Sequence, residues 1–167
     1  MKPLPKVELR LYSENDLPIL RRNNAPEMTK YLGGPESEEK LLDRHQRYLK
    51  LKAGEAYMFI IWLNEEAVGS AGYWEKEWKD ALVWEAGWGV LPEYQGHGIA
   101  LAATLALVEK ARIEHKHRFM HAYPKIENLA SNALCRNAGF TLIEECDFEY
   151  PAGHPIRCND WQIELFD

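Results

Sequence analysis

The residues Val90-Leu91-Pro92-Glu93-Tyr94-Gln95-Gly96-His97-Gly98-Ile99-Ala100 have the types and the order needed to bind an anion. An apolar run enters a turn with two glycines, and a strongly helical stretch follows from Leu101 to about Arg112. Glycine lets the main chain turn tightly and approach a ligand closely. The first turn of a helix leaves N–H groups without intrahelical partners, with the positive end of the helix dipole behind them. That combination suits a phosphate. No Lys-Ser or Lys-Thr follows the second glycine, which excludes the nucleoside-triphosphate loop. The dinucleotide fingerprint needs three spaced glycines and is absent as well. A plain strand-to-helix connection would use the same two glycines, so the loop by itself leaves both readings open.

A second segment, Asn128-Leu129-Ala130-Ser131-Asn132-Ala133-Leu134-Cys135-Arg136-Asn137-Ala138-Gly139-Phe140, reads as a capped helix running into a strand. Asn128 is a good N-cap after the break at Pro124. Gly139 suits the left-handed position past the last turn. The spacing Gln95-x-x-Gly98-x-Ala100 resembles the pyrophosphate loop of the GNAT family of acyl-CoA-dependent N-acyltransferases. The Asn128 to Phe140 segment resembles the same family's later signature, in the same order, and the resemblance covers nearly the whole chain. It implies acetyl-CoA as co-substrate, with its pyrophosphate on Gln95, Gly96, His97, Gly98, Ile99 and Ala100. It also implies a pantetheine arm held by main-chain N–H groups near Val90 and Leu91 and by Asn128. Ser131 lies one turn along on the same helix face; it could meet the cofactor or bond back to its own helix.

Acyl transfer from a thioester to an amine needs a neutral amine, a stabilised carbonyl oxygen and a thiolate able to leave. An aliphatic ammonium has a pKa of about 10.4 and an α-ammonium about 8, so a nearby base assists attack. The resemblance points to Glu85, in Trp84-Glu85-Ala86-Gly87-Trp88-Gly89-Val90, acting directly or through water. Trp84 and Trp88 are expected to desolvate this carboxyl and raise its pKa. Gly87 and Gly89 interrupt the strand, which suggests a bulge, a close backbone approach or packing against tryptophan. Many family members carry a Tyr seven residues after the helix-starting Asn, as the acid for the departing thiolate. Cys135 stands there in this chain and reads as a small buried hydrophobe.

These groups need a scaffold. Val7 to Tyr12 alternates as a strand, Asp16 to Asn23 as a helix, and Ser37 caps a second helix reaching about Lys52. Strands are expected over Ala56 to Leu63, Ala67 to Glu75 and Leu82 to Leu91, joined by turns at 64–66 and 76–80 in an antiparallel meander. The helix after Gly98, a strand over Arg118 to Tyr123, the Asn128 helix and a hairpin of Thr141 to Tyr150 with Arg157 to Leu165 complete the chain. The expected order is β-α-α-β-β-β-α-β-α-β-β. This is an α/β (mixed α+β) fold with a mostly antiparallel sheet and helices on both faces; the resemblance adds a splay between the fourth and fifth strands.

The length of 167 residues suits one domain, 1–167. No apolar run approaches the ~20 residues of a membrane span, and Met1 to Lys6 shows no signal core. Three scattered cysteines, Cys135, Cys146 and Cys158, fit a reducing cytoplasm. The formal charge of −6 argues against a general nucleic-acid binder. His115, His117 and His121 match no ligand template, so no metal is expected; the third lies near the expected cleft. The expected partner is a small-molecule or peptide amine, and a homodimer is compatible with the chain. A rival reading is a non-catalytic acyl-CoA-binding regulatory module.

Overall fold

The computed structural model describes residues 3–167; Met1 and Lys2, which open the segment read for a signal core, lie outside the described residues. The elements run β1 (Glu8–Leu11), α1 (Leu17–Asn23), α2 (Glu38–Leu49), β2 (Ala56–Leu63), β3 (Glu66–Trp78), β4 (Ala81–Val90), α3 (Ile99–Glu114), β5 (Phe119–Ala122), α4 (Leu129–Asn137), β6 (Thr141–Glu149) and β7 (Pro155–Glu164). This is the expected order. The strands form one sheet ordered β1-β2-β3-β4-β5-β7-β6. Every neighbouring pair is antiparallel except β4 with β5.

Strand alternation divides the core. Phe59 and Ile61 of β2 join Trp84, Met120 and Trp161 in a large cluster with Leu107 and Ala111 of α3 and Cys135 of α4. Ile60, between them in sequence, packs instead with Leu20 of α1 and Leu41 of α2. The sheet therefore has helices on both faces. The apolar side of α3 is fixed at its far end by Glu114, whose carboxylate accepts hydrogen bonds from Tyr57 (2.9 Å) and Tyr73 (3.1 Å).

Two boundaries differ from the sequence expectation. The second helix stops at Leu49, with Lys50 as its C-cap, rather than near Lys52. The turn expected over 76–80 is only Lys79-Asp80, with φ of 50° and 65°. Two consecutive left-handed residues make the tight primed turn that matches strand twist. Strand β3 consequently extends to Trp78, which turns Lys76 and Trp78 from loop residues into sheet residues. The cysteines are also less scattered than their spacing suggests. Cys146 and Cys158 are direct partners across β6 and β7, both buried and both free thiols.

One amide makes the polar joint between α4 and the sheet. Asn132 is buried; its Oδ1 accepts from Trp161 Nε1 and Asn159 Nδ2, both at 2.8 Å. Its Nδ2 donates to the carbonyls of Lys125 (3.0 Å) and Asn128 (2.8 Å). Removing it leaves the buried Trp161 N–H without an acceptor. Asn132→Ala should therefore cost about 1–3 kcal/mol of stability, seen as a lower urea midpoint with an unchanged slope.

Candidate active site

The loop after β4 departs from regular structure in the way its glycines demand. Gly96 and Gly98 have φ of +81° and +79°, a region L side chains rarely occupy, and Gly98 is the N-cap of α3. Ile99 is buried in the core and anchors the turn, while Gln95, Gly96 and His97 are exposed. Gln95 donates from Nε2 to the carbonyl of Val90 at 2.8 Å, so its side chain braces the loop. The main-chain hydrogen bonds around it involve the N–H groups of Tyr94 and Gln95 and then that of Ala102. Among the described residues, the N–H groups from Gly96 to Leu101 make none. Six consecutive free donors at the start of a 16-residue helix form a cradle of the kind that fits a diphosphate.

The seam between β4 and β5 is short. These parallel strands are partnered only at Trp84 with Met120 and Glu85 with His121. Beyond Glu85 they diverge, while β4 stays paired with β3 without a break from Trp78/Ala81 to Gly69/Val90. No bulge is needed to open the gap, which corrects that expectation. Gly87 serves packing instead: a Cβ there would lie 2.8 Å from Cη2 of Trp74. The N–H of Leu91 is spent on the carbonyl of Val68 at 2.9 Å, so Leu91 cannot supply the expected donor. Antiparallel alternation then turns the main-chain groups of Trp88 and the N–H of Val90, whose carbonyl Gln95 already holds, toward the open gap. A strand-like ligand could pair there.

Glu85 stands at the closed end of the gap and lines a cleft of about 1110 Å³ together with Trp74, Lys76, Gly87, Tyr123 and Asn128. Its side chain is 17% exposed and lies 4.0 Å from Lys76 Nζ. Burial raises the carboxyl's pKa, and Lys76 and a hydrogen bond from Trp74 pull it part of the way back. The desolvation does not come from Trp84 and Trp88, contrary to expectation. Both project to the opposite face of the strand, where Trp84 is fully buried among core residues. Lys76 also lies over three rings, Phe148 at 4.5 Å, Trp78 at 5.6 Å and Tyr123 at 5.8 Å.

Beneath this surface, Asp160 Oδ1 accepts from His121 Nδ1 at 2.6 Å and Oδ2 from Trp78 Nε1 at 3.1 Å. His121 and Asp160 are both buried. The His121 ring stacks on Tyr123, whose buried hydroxyl has no hydrogen-bond partner among the described residues. His117 bonds Glu75 and His115 stacks on Phe166, so the three histidines serve separate partners. Among the described residues no group of three or more His, Cys, Asp or Glu could hold a metal ion.

Asn128 caps α4, its Oδ1 accepting from Ser131 N at 3.2 Å, and both residues line the cleft. Cys135 is fully buried, and burial pushes its thiol up to about 12. A thiol that weak is a poor acid for a departing thiolate with an ordinary pKa of about 8.5. The sequence reading missed Lys76, Tyr123 and Asp160. The signal for Lys76 was its alternation with Trp74 and Trp78, hidden by placing the turn too early. Nothing local marked Asp160, whose partners are more than 35 positions away in sequence.

The similarities of the chain agree with this geometry. No curated protein matches it. An aminoglycoside acetyltransferase, AAC(6')-Ib, solved with coenzyme A, is 20% identical over 95% of each chain with a TM-score of 0.79. An acetyl transferase from Salmonella typhimurium, which modifies the N-terminal serine of a 50S ribosomal subunit protein, is 23% identical over 96% of this chain and 95% of that one, with a TM-score of 0.80. Spermidine N-acetyltransferase from Vibrio cholerae, solved with CoA and spermine, is 17% identical over 95% of each chain with a TM-score of 0.77. These likenesses establish the fold. The profile of the acetyltransferase (GNAT) domain matches residues 6–141, and the chain belongs to the GNAT acetyltransferase family.

Proposed function

We propose that the protein is an N-acetyltransferase that moves an acetyl group from acetyl-CoA to a primary amine by direct attack in a ternary complex. The observation that carries this reading is the continuity of three features: free N–H groups from Gly96 to Leu101, a gap lined by Trp88 and Val90, and a buried carboxyl at its closed end. Acetyl-CoA, as co-substrate, supplies the activated acyl carbon. The free amides from Gly96 to Ala100 hold its pyrophosphate. Val90 and the side-chain NH2 of Asn128, whose Oδ1 is already used in capping, hold the pantetheine arm. Ser131 lies beside Asn128 on the same wall.

Glu85 accepts the proton that the ammonium must lose, directly or through one water. The neutral nitrogen then bonds to the thioester carbon, the carbon–sulfur bond breaks, the thiolate leaves without help from Cys135, and the proton still surplus on the new amide nitrogen passes to that thiolate or to water. Burial of Glu85 makes it a stronger base than an ordinary carboxylate. Its raised pKa sets the sign of the pH response. Above that pKa the base is ionised and competent; activity falls as pH drops through it. The three unpaired cysteines support a reducing, cytoplasmic setting.

Gly98→Glu, tested by calorimetry with acetyl-CoA, should weaken binding at least about 100-fold through charge in the cradle. Gly98→Ala carries the backbone strain without the charge and should lose less. Wild-type affinity in the glutamate variant would remove the loop from its role. Glu85→Gln should lower kcat/KM roughly 10²-fold and erase the acidic limb of the pH profile, with acetyl-CoA affinity kept. Lys76→Met removes the cation that holds Glu85 down, so the acidic limb should move to higher pH. A limb that stays in place would show that another group titrates.

A further inference from the structure

We infer that the acceptor is the N-terminal amine of an acidic peptide segment, a refinement that rests on the acetyl-transfer reading above. The observation is a mismatch of charge. The chain as a whole carries −6. The cleft that contains Glu85 is nevertheless lined by six cations, Lys30, Lys40, Arg44, Arg47, Lys76 and Lys125, against four carboxylates, Glu27, Glu36, Glu85 and Glu149.

Local pairing leaves Lys30, Lys40 and Arg47 against Glu27 and Glu149. Arg44 is held by Glu36 at 2.6 Å and Lys76 faces Glu85 at 4.0 Å. Lys125 reaches Glu127 at 4.0 Å and sits beside Asn128, on the cofactor wall. Lys40 and Arg47 are exposed and make no ion pair among the described residues. With Arg44 they stand at i, i+4 and i+7, on one face of α2. That row is about 10 Å long at 1.5 Å per residue. A field of one sign inside a low-dielectric cleft concentrates ligands of the other sign.

A polycationic acceptor, such as a polyamine or an aminoglycoside, would enter against this field with only Glu27 and Glu149 left to receive it. An amine attached to negative groups would enter with it. A single carboxylate would use one end of the row; several acidic side chains in succession would use its length. The reacting nitrogen fits the same source. An α-ammonium, with a pKa of about 8, gives up its proton more easily than a lysine ammonium at about 10.4. It needs a base of modest strength, such as one buried carboxyl partly offset by a lysine.

The test compares three acceptors: a short peptide with a free serine N-terminus followed by Asp and Glu, its counterpart with Lys in those places, and spermidine. Binding to the protein saturated with coenzyme A is measured by calorimetry, and transfer from acetyl-CoA by thiol release. The acidic peptide should bind about tenfold or more tightly than either cation at low ionic strength, with the gap closing as salt rises. Lys40→Glu/Arg47→Glu should reverse the order, and Lys40→Gln/Arg47→Gln should abolish the preference without reversing it. Tighter binding of the lysine peptide or spermidine, or a preference untouched by both double variants, overturns the inference. If the acidic preference in binding is present but no acetyl group moves, the charge inference stands and the acetyl-transfer reading fails.

Discussion

Everything at the cleft depends on two parallel strands sharing only two residue pairs. Strand β4 is held along its length by β3, and β5 is held on its far side by β7. Each strand thus has one satisfied edge, and the seam between them can open without unravelling the sheet. The break falls where the chain stops supporting a ladder. Past Ala122 the backbone runs through Tyr123 to Pro124, and proline has no N–H to donate. On the other strand, Gly87 and Gly89 leave a smooth wall that Trp74 and Met28 press against. An exposed strand edge is ordinarily a liability. Here it is sheltered inside a cleft and becomes a binding surface.

The charged groups at the head of this seam are layered. Glu85 and Lys76 face the cleft, and below them Asp160 fixes His121 and Trp78. A buried carboxylate is costly unless its lone pairs are used, and both oxygens of Asp160 are. Nδ1 of the His121 ring is thereby held against Asp160, and its Nε2 lies 3.3 Å from Nε2 of Gln162. This lower layer has the character of a foundation. It fixes Trp78 and, through stacking, Tyr123, and these rings with Phe148 surround the lysine that moderates Glu85.

Much of this was legible in the chain before any coordinates. The glycine pair at 96 and 98, the cap at Asn128 and the strand over Ala56 to Leu63 are local signals, and each appeared where the sequence placed it. Element order followed from them. What failed to show was non-local. The direction in which Trp84 projects depends on which face of β4 meets α3. The N–H of Leu91 belongs to Val68, across a strand pair 23 residues apart in sequence. Asp160 meets His121 only because β7 inserts between β5 and β6. The misplaced 76–80 turn shows the opposite failure: a polar stretch looked like a loop, while two left-handed residues sufficed to reverse the chain.

A cradle made of peptide N–H groups has a consequence for how such a protein ages. Side chains around it that do not brace the loop can be exchanged, since the donors belong to the backbone and survive any replacement that keeps its bend. The letters under strictest tenure are the ones that permit the bend, Gly96 and Gly98, with Gln95 and Ile99 bracing it. Recognition of this kind leaves almost no trace in overall identity, and a lineage can rewrite most of its text while keeping its grip on the same ligand.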